Sequence, residues 1–146
     1  MINDNLQIIE STLKNELMSE WSKINFEYTF EENYFKATAT ITLNTCDDDI
    51  FLSLAFWGTG IYRCVAIFDK IELSLPVARY INKLVCDENI EDNLMIYIDE
   101  DDYLTVSRMG ALYDCNNCGD IASDFIISFI NLTEKPEFKV LTDFTQ

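Results

Sequence analysis

The sequence predicts an α+β fold: an antiparallel β-sheet, made of a meander plus a C-terminal hairpin, with an N-terminal helix and two further helices packed mainly on one face. Three observations predict it. Apolar residues recur three and four apart in three stretches, over residues 4–20, 74–87 and 117–132. Between the first two stretches the apolar period changes to two. Four glycines and two prolines in 146 residues leave no room for linkers, so residues 1–146 read as one domain.

The first helix carries its stripe on Leu6, Ile9, Leu13 and Leu17, widened by Ile8. Asn3 or Asp4 is the expected cap, and Glu10, Lys14 and Glu16 take the wet side. Ile24, Phe26, Tyr28 and Phe30 then share one strand face. The next strand sets Phe35, Ala37, Ala39, Ile41 and Leu43 against Lys36, Thr38, Thr40 and Thr42. Residues 44–49 read as a turn. The run IFLSLAFW is apolar on both faces, which marks a central strand. Gly58-Thr59-Gly60 predicts a tight hairpin returning as IYRCVAIFD.

Ser74 and Pro76 start the second helix: serine caps, and proline in the first turn lacks only an N–H that would be unpaired anyway. Its inner stripe is Val77, Tyr80, Ile81, Leu84 and Val85. A hairpin follows, with strands at 95–99 and 103–108. The third helix begins near Asn117 with Asp120 as a partial capping box, and buries Ile121, Ala122, Phe125, Ile126, Phe129 and Ile130. Residues 133–146, with Phe138, Val140, Leu141 and Phe144, read as a tail, a short extra strand or a docking segment.

Composition narrows the function classes. Twenty-six acidic against ten basic residues give a net charge of −16, which repels phosphate backbones and argues against direct nucleic-acid binding. A basic protein would be attracted. The polar, acidic start is unlike a secretory signal, and no apolar run approaches the roughly 20 residues of a membrane span. The five cysteines are therefore expected to be reduced, in a cytoplasmic protein.

The chain has no histidine, which removes the commonest general base and metal ligand and every Ser–His or Cys–His nucleophile pair. No catalytic residue, cofactor or metal is expected. Cys115 and Cys118 form a Cys-x-x-Cys pair at a helix start, where a thiol pKa falls, so a thiol redox role is one weaker reading. As zinc ligands they are half a site.

Acidic residues cluster as Asp47, Asp48 and Asp49, as Glu91 and Asp92, and as Asp99, Glu100, Asp101 and Asp102. These acidic turns are candidate contacts for a basic partner. Tyr34, Trp57, Tyr62 and Tyr97 are candidate aromatic contacts on less protected strand faces, or else a second-face core.

The order of elements resembles the YbjN-like family and the class I type III secretion chaperones. The resemblance is carried by PVARYINKLVCDENI with its Ile81-Asn82 pair, by NLMIYIDEDDYLTVSRMGAL, and by CGDIASDFIISFINL. It implies a small, acidic, non-enzymatic protein, often a homodimer, that binds other proteins. Two functions compete at this point. One is a binding module that escorts or neutralises a basic protein, as a chaperone or an immunity protein does. The other is a nucleic-acid mimic that inhibits a DNA- or RNA-binding enzyme. A mimic should carry its acids in a continuous stripe; a chaperone should frame apolar patches with acid.

Overall fold

The computed structural model describes residues 2–17, 25–31, 34–43, 46–58, 60–86, 94–112 and 117–144. Helix α1 is Ile2–Leu17, followed by strands β1 (Asn25–Glu31), β2 (Tyr34–Leu43), β3 (Cys46–Trp57) and β4 (Ile61–Lys70). Helix α2 (Leu75–Cys86) leads to β5 (Met95–Ile98) and β6 (Tyr103–Ala111), then to α3 (Cys118–Thr133) and α4 (Pro136–Thr142). The six strands form one antiparallel sheet in the order β1-β2-β3-β4-β6-β5. The α+β fold class expected from the sequence is the one observed. The connection through α2 steps past β6, so the C-terminal hairpin joins the meander by its second strand.

Alternation along the strands gives the sheet two different faces. On the inner face Ala37, Leu54, Cys64 and Arg108 lie at one level across β2, β3, β4 and β6. The core is built on this face, where Ile41, Leu52, Phe68 and Val106 meet Ile9 and Leu13 of α1, Val77 and Leu84 of α2, and Phe125 and Phe129 of α3. Burying each large apolar side chain contributes about 1.5–3 kcal/mol. All four helices feed this one cluster.

Several local expectations need correction. Helix α1 begins at Ile2, so Asn3 and Asp4 are helical residues rather than caps. Asp47, Asp48 and Asp49 belong to β3, which starts at Cys46 across a bulge from Leu43, and not to a turn. Val85 faces solvent instead of the core. Tyr28 is 57 % exposed although it lies on the helix-bearing side, because β1 is the edge strand.

The tail forms helix α4, not a strand. Lys135 is extended and Pro136 stands at the first position, where its fixed φ suits a helix start. Phe138 and Leu141 fall three apart and are fully buried, and the Phe138 ring lies edge-on to Phe68 at 5.2 Å. The Tyr80 hydroxyl donates to the Glu137 carbonyl (2.5 Å), tying α2 to α4.

The expected start of α2 is present: Ser74 Oγ accepts from the Val77 amide at 3.3 Å. The start of α3 is built differently. Asn117 makes no side-chain cap, and the orphan amide of Gly119 donates instead to Asn5 Oδ1 on α1, at 2.9 Å. Among the described residues no helix is long and apolar enough to cross a membrane.

Candidate functional site

Among the described residues, the helices pack on the inner face of the sheet. The levels of the outer face across β2, β3, β4 and β6 follow from the register. At one end stand Tyr34, Trp57, Ile61 and Ala111, then Lys36, Ala55, Arg63 and Met109. Next come Thr38, Ser53, Val65 and Ser107, and finally Thr40, Phe51, Ile67 and Thr105. Small residues occupy the centre and large ones the ends. Phe51, Trp57, Ile61, Met109 and Met95 of β5 are all exposed apolar side chains on this face. Between them Ala55, Val65, Thr105 and Ser107 are buried, and Ala55 and Val65 are not part of the helix-side core.

Beyond Phe51 the face ends in an open groove of about 560 Å³. Asp49, Asp69, Asp99 and Asp101 line it together with Phe51, Ile67 and Tyr103. The carboxylates come from three places: the start of β3, the end of β4 and the β5–β6 loop.

Local chemistry holds three of them. Asp49 Oδ1 accepts from the Thr42 hydroxyl at 3.0 Å. Asp69 sits where β4 bulges between Ile67 and Lys70, and its Oδ1 accepts from the Lys70 amide at 2.8 Å. Asp99 Oδ1 accepts from the amides of Asp101 and Tyr103, both at 2.9 Å. That loop closes with Asp102 at φ 70°, a left-handed residue that turns the chain back into β6. On the rim, Lys70 Nζ lies 5.3 Å from the centre of the Tyr103 ring, so this wall already holds one ammonium group by cation–π attraction.

The sequence-derived candidates divide accordingly. Asp49, Asp99 and Asp101 are brought together. Glu100 and Asp102 are exposed on the same loop but do not line the groove. The side chains of Asp47 and Asp48, and all of Glu91 and Asp92, lie outside the described residues. Tyr34 and Trp57 are directly paired across β2 and β3 on the outer face, with ring centres 5.7 Å apart. Tyr97 shares that face and accepts a hydrogen bond from Arg63 (3.2 Å) that reaches across β6. Tyr62 does not belong with them: it lies on the helix side, half-buried against Phe56 and over Gly110.

Sequence reading missed Asp69, Phe51, Ile67 and Tyr103. The signal for Phe51 was present in IFLSLAFW, whose second apolar face needs a use if no helix covers it.

Cys115 lies outside the described residues, and Cys118 is buried as the first residue of α3. Cys64, also buried, has its thiol pushed up to about 12, chiefly by burial and further by Cys118, against the opposing Arg108 charge. Burial likewise raises the Tyr62 phenol. A thiol held neutral in this way is a poor nucleophile. Among the described residues no three Cys, Asp or Glu side chains are placed to hold a metal ion.

Comparison with known proteins finds no matching family model, no matching curated protein and no matching solved structure.

Proposed function

We propose that this protein is a non-catalytic binding module for a basic partner protein, which it escorts or neutralises. One observation carries the reading: four carboxylates from three separate elements line a single groove, with Phe51, Ile67 and Tyr103 among them. A lysine or arginine side chain has an apolar stem and a charged head, and such a groove suits both parts. The net charge of −16 favours the encounter. Chaperone-like and immunity protein-like roles both fall within this class, as does the homodimer implied by the resemblance in the C-terminal half. The reduced cysteines expected from the sequence suit a cytoplasmic setting.

Nucleic-acid mimicry is the competing reading, and the gathering of carboxylates from separate segments favours it. The apolar residues between them favour a protein partner instead, because a phosphate mimic has no use for Phe51 and Ile67.

The test is affinity capture from host lysate, with nuclease present and elution in rising salt, using the native protein and an Asp49→Asn/Asp69→Asn/Asp101→Asn variant. One basic protein released at moderate salt, and not retained by the variant, is the expected result. A nucleic-acid enzyme that DNA displaces from the same surface would support mimicry. Equal recovery on both baits would remove the groove from the binding site.

A further inference from the structure

We propose that a second copy of this chain pairs edge to edge with β1, antiparallel and centred on Tyr28, so that a two-fold axis joins the two sheets. This surface is separate from the acidic groove, and its occupant is the chain itself.

The edge is open and regular. Among the described residues β1 has one strand neighbour, β2, with which it pairs from Asn25 to Glu31 without a bulge. The N–H and C=O groups on its other side are directed outward, and an added extended strand satisfies them in register. Glu27, Tyr28, Thr29 and Glu31 are all exposed, so the strand is accessible from both faces. It contains no proline or lysine, two common protections of an edge. The opposite edge, β5, has only four residues against the seven of β1.

The order of charges along β1 selects a second copy. A two-fold axis perpendicular to the sheet keeps both helix-bearing faces on one side, so residues of one face meet residues of the same face. With Tyr28 on the axis, Tyr28 meets Tyr28 of the second copy, Glu27 meets its Thr29, and Glu31 meets its Asn25. The whole strand pairs, and no carboxylate stands opposite another. Sliding by two residues in either direction sets Glu27 opposite Glu27, or Glu27 opposite Glu31, and shortens the pairing. Tyr28, 57 % exposed in the single chain, gains an aromatic mate across the axis. The axis also reverses strand direction. Asn25 pairs with Thr40, which lines the groove, so the two grooves lie at opposite ends of the joined sheet.

Sedimentation equilibrium of the full chain tests the interface. Net charge opposes association, so the dimer should tighten as salt rises, whereas a basic partner in the groove should be released. Within one chain Thr29 pairs with Lys36, so the monomer tolerates Thr29→Glu. In the dimer this variant sets carboxylates opposite Glu27 of the second copy, and should weaken association by about tenfold. Thr29→Lys sets an ammonium there and should tighten it by about fivefold. Gln7→Lys, the same change of charge at an exposed position on α1, should have little effect.

A chain that stays monomeric to about 100 µM at high salt would overturn the proposal. So would a dimer that both Thr29 variants weaken or leave unchanged, or one that Gln7→Lys tightens as much as Thr29→Lys. Asp49→Asn/Asp69→Asn/Asp101→Asn should dimerise at least as well as the native chain. If it does so while losing its basic partner, both readings hold; a partner bound by a chain that never dimerises would sink this one alone.

Discussion

Gly119 of α3 lies against the backbone of Asn5 in α1: its amide donates to Asn5 Oδ1 at 2.9 Å, and a Cβ at position 119 would stand 2.9 Å from Asn5 Cα. Seven residues along α1, Thr12 Oγ1 lies 2.7 Å from Ser123 Oγ. Thr12 also donates to the Ile8 carbonyl, so Ser123 is the donor in that pair. The two contacts hold α1 close over α3, and the helices close the core above the meander.

Gly119→Ala is therefore expected to destabilise the fold by about 2 kcal/mol or more, since backbone must move to admit the methyl group. Asn5→Ala removes a buried cap and should cost about 1–2 kcal/mol. Urea unfolding measures both. A Gly119→Ala midpoint equal to that of the native protein would show that α1 does not pack this closely.

The β5–β6 loop is stabilised by Asp99 and strained at Asp102. Asp102→Gly relieves the left-handed conformation and is expected to stabilise by about 0.5–1 kcal/mol. Asp99→Ala frees two amides and should destabilise by about 1–2 kcal/mol. Thermal unfolding of the two variants should move in opposite directions.

Alkaline pH should weaken the protein through Cys64. The unfolded chain loses this proton near the ordinary thiol value of 9.0, whereas the folded chain keeps it to about 12. Across that window the unfolded state binds fewer protons, so stability falls as pH rises. The raised Tyr62 phenol acts in the same direction at higher pH. Cys64→Ala should flatten the slope of unfolding free energy between pH 9 and the alkaline limit. An unchanged slope would assign the effect elsewhere.

Ser107 is fully buried on the outer face, and its hydroxyl finds no hydrogen-bond partner among the described residues. Ser107→Ala is expected to be neutral, or stabilising by about 1 kcal/mol, because it removes an unsatisfied polar group. A loss of more than this in urea unfolding would reveal a bond to that hydroxyl.

The elements that sequence reading placed correctly are those whose periodicity is uninterrupted. The stripe of Ile9, Leu13 and Leu17, the alternation of Phe35 to Ile41, and the Ser74 cap all act locally. The errors arise where long-range packing decides. Phe138 and Leu141 form a helix because α4 reaches Phe68, and nothing near them in the chain announces that ring. The cap of α3 comes from Asn5 across a separation of 114 residues, so no local motif contains it. All three acidic clusters were recognised as clusters, but the meeting of two of them with Asp69 depends on the β4 bulge and the strand register. The outer face was half legible: IFLSLAFW declares two apolar faces, and only the tertiary packing shows which one the described helices cover.

The most direct measurement of the groove's role is a titration of the ¹⁵N-labelled protein with hexalysine at low salt, followed by amide chemical shifts. Perturbation centred on Asp49, Phe51, Asp69, Asp99 and Asp101, reversed by salt and absent in Asp49→Asn/Asp69→Asn/Asp101→Asn, is the expected result. Shifts spread evenly over the surface acids, or centred on α1, would contradict a binding site at the acidic end of the sheet.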